Sequence, residues 1–301
     1  MVQENCMIKV IVVAGATGVG KTDLSIKLAK RFNGEIVNAD ASQFRRNLNI
    51  GTAKINSNEM EGVKHHLFDI VGETDNFSIR EYQSIARAKI GQIFENNKIP
   101  IIVGGSGLYI DSLINEYDLS GPSNEYIEDE GEYKNYSNEE LFNILKEINE
   151  EFANHTHKNN RKRVIRYIQK AKNGMTFEEF KPAKYYDALI LFLNRDRNDL
   201  YERINQRTLL MLENGWIDEV KSLKERNIDV SKIKEIGYKE INDYLNGCLE
   251  YDEMIELIQK NTRHYAKRQI TWFKNKSDSV NVDLNNFNIS DIFNLVEKYL
   301  K

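Results

Sequence analysis

The eight residues Gly15-Ala16-Thr17-Gly18-Val19-Gly20-Lys21-Thr22 constrain this chain more than any other segment. They read G-x-x-x-x-G-K-[ST], and they stand between an apolar, β-branched run, Ile8–Val13, and a helical pattern from about Lys21 to Phe32. Strand, loop and helix in that order are the context in which such a P-loop cradles phosphate. Glycines let backbone N–H groups wrap around phosphate oxygens, and the helix N-terminus adds partial positive charge. Lys21 supplies a point charge and Thr22 a hydroxyl suited to Mg²⁺. The motif predicts a phosphorylated ligand. It does not name that ligand, nor require that a phosphoryl group move.

Strand-like and helical patterns alternate through the first 115 residues or so. Glu35–Asn38 reads as a second strand, His65–Ile70 as a third and Ile99–Val103 as a further buried one, with a helix over Ser78–Glu95. Such alternation argues for a parallel sheet with helices on both faces. Beyond Tyr117 the segment Gly121–Ser137 is polar, acidic and turn-rich, followed by helical patterns near Asn138–Ala153 and Arg161–Ala171. Asp187–Leu193 returns to a strand pattern, and the remainder reads as helices at about Asn198–Arg226, Tyr238–Leu245 and Tyr251–Asn275. The expected fold is α/β: a P-loop NTPase-like parallel sheet in residues 1–117 and 186–301 with a helical C-terminal part, plus a helical insertion domain over 118–185.

No apolar run approaches the roughly 20 residues of a membrane span, and Met1–Met7 has no basic n-region, so a cytoplasmic protein without membrane contact is expected. Cys6 and Cys248 stand far apart and in no ligand spacing, which predicts neither a disulfide nor a zinc site. The net charge of −4 does not advertise nucleic acid, but its distribution is uneven. Lys158, Arg161, Lys162, Arg163, Arg166, Lys170 and Lys172 follow one another without an acid, as do Lys260, Arg263, Lys267, Arg268, Lys274 and Lys276. These segments suit a polyanionic partner as well as they suit a solvated helix face.

In open α/β sheets ligands bind at the carboxyl ends of the strands, so Asp40, just past the second strand, should face the same crevice as the glycine loop. A carboxylate there could hold Mg²⁺, bind a hydroxyl, accept a proton or cap a helix. Gln43 could pair with an adenine edge or be a polar loop residue. Arg203 and Arg207 share a helix face at i, i+4. On the last long helix Ile258, Thr262, Tyr265, Gln269 and Trp272 share a face expected to pack on the core, with Arg263, Lys267 and Lys274 on a neighbouring face suited to phosphate.

With these residues in hand the chain resembles the tRNA dimethylallyltransferase family over nearly its whole length. The resemblance runs through Gly15–Thr22, Asn38–Gln43, Asn49–Lys54, His65–Ile70, Gly104–Tyr109, Asn160–Arg166, Leu200–Arg207, Ile236–Glu240 and Thr262–Phe273. Gly51-Thr52-Ala53-Lys54 and Ala266-Lys267-Arg268-Gln269-Ile270-Thr271-Trp272-Phe273 are its most specific parts. It implies that dimethylallyl diphosphate lies with its diphosphate in Gly15–Thr22, with Mg²⁺ on Thr22. The N6 amine of the adenosine just 3′ of the anticodon then attacks the allylic carbon and pyrophosphate leaves. Carried over, Asp40 is the general base, and Ser106, Arg203 and Arg207 assist the reacting groups, with an arginine of that helix reaching the diphosphate.

The family's tRNA contacts would fall on Asp40, Ala41, Ser42, Gln43 and Ser106, on Lys162, Arg163, Val164, Ile165 and Arg166, and on Lys234, Gly237, Tyr238 and Lys239. The partner would be a tRNA anticodon stem-loop with its target base flipped out, and the enzyme a monomer of bacterial type. His65-His66 would be structural neighbours of the site. The chain departs from the pattern at Ser106, where threonine is usual, at Ile55, where proline is common, and at Ala41-Ser42-Gln43-Phe44-Arg45, in place of Ser-Met-Gln-Val-Tyr. A small-metabolite kinase, an adenylate dimethylallyltransferase acting on free nucleotide, and an RNA-binding module with a decayed loop are the rival readings.

Overall fold

The computed structural model describes residues 7–117, 131–175, 183–274, 276 and 278–301. The chain divides into two compact units, Met1–Glu116 with Lys184–Lys301, and Tyr117–Ala183. The larger unit is built on a six-stranded, all-parallel sheet of order β3-β2-β4-β1-β5-β6. Its strands are β1 (Lys9–Gly15), β2 (Gly34–Asn38), β3 (His65–His66), β4 (Ile99–Gly104), β5 (Asp187–Asn194) and β6 (Ser279–Asp283). Val10 to Ala14 of β1 are fully buried, which is why that run is continuously apolar instead of alternating.

Each face of the sheet carries its own core. On one side Ile11, Val13, Ile36 and Leu191 pack under α1 (Lys21–Arg31), and residues of three later helices join the same cluster. On the other side Val10, Val12, Val37 and Ile102 pack under α2 (Ile79–Glu95) and α3 (Gly107–Ile114). Ser78 starts α2 with a capping box to Glu81.

The smaller unit contains α4 (Asn138–Ile148), α5 (Glu150–Asn154) and α6 (Arg161–Lys172) around a core of Leu141, Leu145, Phe152, Val164, Ile165 and Ile168. Arg161 ties this unit together by donating to the carbonyls of Tyr133 and Tyr136. The acidic segment expected from Gly121 onward lies outside the described residues as far as residue 130, and so does Cys6. Cys248 is a free, exposed thiol. Among the described residues no helix is long and apolar enough to cross a membrane.

The larger unit continues through α7 (Arg197–Glu213), α8 (Trp216–Glu225), α9 (Tyr238–Leu245), α10 (Tyr251–Lys274) and α11 (Ile289–Leu300). Four sequence expectations are corrected here. The segment Asn198–Arg226 is two helices, because Gly215 turns the chain at φ 94° between α7 and α8. Asn138–Ala153 is likewise broken at Asn149, whose backbone is extended and whose Oδ1 caps α5 by accepting from the Phe152 N–H. The third strand stops at His66, since Leu67 and Asp69 adopt positive φ. Finally, β6 and α11 have no counterpart in the sequence patterns: β6 is a short edge strand whose only fully buried side chain is Val282.

A third core joins α8, α9 and α10 around Trp216 and Tyr238, and Leu48 reaches into it. It depends on Gly237, which sits at φ 99° with its Cα against the indole of Trp216. A Cβ there would lie 2.0 Å from two Trp216 ring carbons. Gly237→Ala is therefore expected to destabilise the larger unit by more than about 2 kcal/mol, through strained backbone and overpacking together. A denaturant midpoint equal to the wild type's would show that this contact is not rigid.

Candidate active site

The carboxyl ends of β2, β4 and β1 lie side by side, so the segments leaving these strands meet at one edge of the sheet. Asp40 comes just after β2, Gly105 and Ser106 after β4, and the loop to Thr22 after β1. A cavity of about 680 Å³ opens there, and its lining includes Thr17, Lys21, Thr22, Asp40, Gln43 and Arg207. Arg203, Lys234, Tyr265 and Arg268 also face it.

Lys21 Nζ donates to the carbonyls of Gly15 at 3.0 Å and Ala16 at 2.9 Å. Burial lowers its pKa to about 8; Asp40 opposes that shift and Arg207 adds to it. Arg207 donates to Thr17 Oγ1 at 3.3 Å and Arg203 to the Gly18 carbonyl at 3.0 Å, so both i, i+4 arginines of α7 reach the loop. Burial also lowers the Arg207 pKa, against the pull of Asp40, yet a guanidinium stays charged. Arg203 is the more exposed of the two. Fixed cations therefore gather on the loop side of the cavity, where they suit an anion.

Asp40 caps the short 3₁₀ helix Ala41–Phe44. Its Oδ1 accepts from the Ser42 backbone at 3.2 Å and the Ser42 hydroxyl at 2.7 Å. Among the described residues no donor holds Oδ2, which is left for a ligand group. The N-cap and ligand-facing readings of Asp40 thus coexist on different oxygens. Ser106 Oγ accepts from the Ala41 N–H at 3.2 Å. Ser106 is not among the residues that line the cavity; besides the Ala41 N–H it meets the hydroxyl of Tyr265, which does line it. Gly15, Ala16 and Val19 likewise shape the loop from outside the lining.

Gln269 reads in the sequence only as a core-facing residue, and here the structure adds a role. It is buried, accepts from the Thr17 N–H at 2.9 Å and donates to the Gly105 carbonyl at 3.0 Å. A Cβ on Gly105 would lie 2.1 Å from Gln269 Nε2, so only glycine admits this bridge. A single amide on a face shared with Ile258, Thr262, Tyr265 and Trp272 is the available signal. On the same face Ile258 is buried, Thr262 and Tyr265 line the cavity, and Trp272 is 38% exposed. Burial raises the Tyr265 pKa, so its hydroxyl stays protonated. Arg263 donates to Asn205 Oδ1 at 2.6 Å with one of the five N–H donors of its guanidinium. His66 pairs with Glu35 at 2.7 Å, and burial lowers the pKa of His65.

Four of the expected RNA-contacting residues are buried. Val164 and Ile165 sit in the core of the smaller unit, and Tyr238 is enclosed with its hydroxyl on Glu219 at 2.7 Å. Gly237, pressed on Trp216, is buried too. Lys162, Arg163 and Arg166 are exposed on α6, and Lys234 and Lys239 are exposed near the start of α9.

Charged anchors beside a carboxylate with one unengaged oxygen define a group-transfer site of the α/β class, suited to a phosphorylated donor and a proton-bearing acceptor. A sequence model described as IPP transferase matches residues 43–276. The chain is 42% identical over 304 residues, 98% of each chain, to a tRNA dimethylallyltransferase of Clostridioides difficile (strain 630). It superposes with a TM-score of 0.74 and 37% identity on a full-length tRNA isopentenylpyrophosphate transferase of Bacillus halodurans, covering 97% of this chain and 96% of that one. A eukaryotic dimethylallyltransferase solved acting on tRNA gives a TM-score of 0.78 at 30% identity, over 92% of this chain and 74% of that one. The chain belongs to the IPP transferase family, a family of tRNA-modifying prenyltransferases.

The low pKa of Lys21 has a testable consequence. Its charge is present below about pH 8 and is lost above it in the free protein, whereas a bound anion favours the charged form. Pyrophosphate affinity, measured by calorimetry, is expected to weaken as pH rises through that value in the wild type. Lys21→Arg should lack this component, because arginine does not titrate there. The ligand's own ionisation is common to both proteins and cancels in the difference; identical profiles would remove Lys21 from the anion site.

Proposed function

We propose that this chain transfers a dimethylallyl group from dimethylallyl diphosphate to the N6 amine of the adenosine 3′-adjacent to the tRNA anticodon, releasing pyrophosphate. The observation that carries the reading is the sharing of one cavity by the cationic loop edge (Lys21, Arg203, Arg207) and the half-engaged carboxylate of Asp40. The family membership reported above supports it.

The diphosphate lies against Gly15–Thr22, held by loop N–H groups, Lys21 and the α7 arginines. As the allylic C–O bond breaks, negative charge grows on the leaving pyrophosphate, and these fixed cations stabilise it most at that point. The N6 amine is a weak nucleophile, so transfer of its proton to Asp40 Oδ2 as the C–N bond forms lowers the barrier. Ser42 and Ser106 hold the Asp40 segment while this happens. The residues also fit Mg²⁺. Thr22 offers an exposed hydroxyl at the cavity edge, and the described residues contain no group of three or more His, Cys, Asp or Glu side chains that could hold a metal. A hard cation held mainly by diphosphate oxygens and water suits that donor set. When bound, Mg²⁺ neutralises charge on the diphosphate. Lys162, Arg163 and Arg166 of α6, with Lys234 and Lys239, are proposed to contact the tRNA backbone, and the working form is taken to be a monomer.

The test is reconstitution with Mg²⁺, labelled dimethylallyl diphosphate and unmodified tRNA, mapping the label by nuclease digestion. Label on that one adenosine, dependent on an intact stem-loop, supports the reading; transfer only to free AMP would replace it with nucleotide prenylation. Asp40→Ala is expected to keep tRNA binding and turn over at least about 100-fold more slowly, and near-normal turnover would take the base role from Asp40. Reversing charge at Lys162 and Arg163 should weaken tRNA binding and flatten its salt dependence. An unchanged slope would move the RNA surface elsewhere.

A further inference from the structure

We infer that Glu219 is a positioning residue for target-base recognition, acting through the loop 49–53 on the side-chain amide of Gln43. The inference rests on the prenyl-transfer reading and deepens it. Glu219 stands in the first turn of α8 and is not part of the cavity lining. Its Oε2 accepts from the backbone N–H groups of Asn49 and Ile50, each at 2.8 Å. Its Oε1 accepts from the Gly51 N–H at 3.1 Å and the Tyr238 hydroxyl at 2.7 Å.

Three successive backbone donors on one carboxylate resemble a nest that normally holds an external anion. Here the chain supplies the anion itself, through charge-assisted bonds. The loop so held is strained: Ala53 sits at φ 45°, a conformation an L-residue keeps only where its surroundings over-determine it. It is also tightly packed, since a Cβ on Gly51 would lie 2.2 Å from Trp216 Nε1.

The loop's next two carbonyls do the positioning. Gln43 Nε2 donates to Thr52 O at 3.2 Å and to Ala53 O at 3.3 Å. With the amide nitrogen committed there, Oε1 is the end of Gln43 left for the cavity that Gln43 lines. A fixed acceptor beside Asp40 matches a base edge that carries N–H, as adenine does at N6, and opposes one that carries a carbonyl. If the loop carbonyls were free to move, the amide could turn and present its donor instead. Glu219 thereby keeps the recognition group in its adenine-reading orientation from outside the cavity.

The test uses the full chain with Glu219→Gln, which keeps the volume but turns an NH₂ toward groups that are themselves donors. Amide exchange at Asn49, Ile50 and Gly51 is expected to quicken at least about tenfold. Transfer to tRNA should lose about 10- to 100-fold in kcat/KM, while pyrophosphate affinity stays within about twofold, since the loop-bound cations are untouched. Gln43→Ala should lose a comparable factor, and the double variant no more than the larger single loss. Losses that multiply, unchanged exchange, or a parallel fall in pyrophosphate affinity would each overturn the inference. If Glu219→Gln does not fold, Tyr238→Phe, which removes one donor and keeps the ring, goes through the same cycle with the same criteria. A wild type that transfers nothing to tRNA would instead defeat the prenyl-transfer reading, and the base-recognition role with it; the exchange arm would still report whether Glu219 holds the loop.

Discussion

From Val10 to Ala14, strand β1 has no side that meets water. It pairs with β4 on one edge and β5 on the other, and both faces lie under packed helices. The enclosed run Val10–Ala14 must be apolar, and the chain can turn only where the sheet ends. The glycine loop is forced to that end, and because β2 and β4 run parallel beside β1, their own exits deliver Asp40 and Ser106 to the same edge. The site is in this sense a by-product of strand direction: parallel pairing gathers carboxyl ends, and carboxyl ends gather the chemistry.

Within that edge the charges are arranged in tension. Lys21 gives up hydration for two loop carbonyls, and Arg207 leans on the hydroxyl of Thr17. Cations held by neutral oxygens in a partly dry cavity gain more from an arriving anion than the same cations in water. Asp40 is the counterweight. Its field favours the charged form of both Lys21 and Arg207, and its Ser42 contacts keep the carboxyl group from swinging onto them.

The core of this arrangement is legible in the sequence because it is local. Gly15–Thr22 carries its own strand and helix, and Asp40 stands two residues past the end of a strand. The features that escape such reading depend on distant partners. Gly215 breaks a helix within Asn198–Arg226, a segment otherwise helical on both sides of it. The edge strand β6 is too short to carry a pattern, and pairs only because β5 offers it a free side. Val164, Ile165 and Tyr238 sit among basic residues in the sequence, yet their apolar bodies are consumed by local cores. Gln269 looks like packing and Glu219 like an ordinary acid in a helix's first turn; the roles of both come from contacts across most of the larger unit.

The Gln269 bridge also orders events in time. The loop it steadies is synthesised before the side chain that accepts from Thr17, which comes 252 residues later. At ribosomal elongation rates of about 5–20 residues per second, the loop is made well before this brace exists. A nascent chain carries the phosphate motif without its finished shape, and competence arrives late, with α10. Any product truncated before that helix would keep the most recognisable motif in the chain while lacking the contact that sets it.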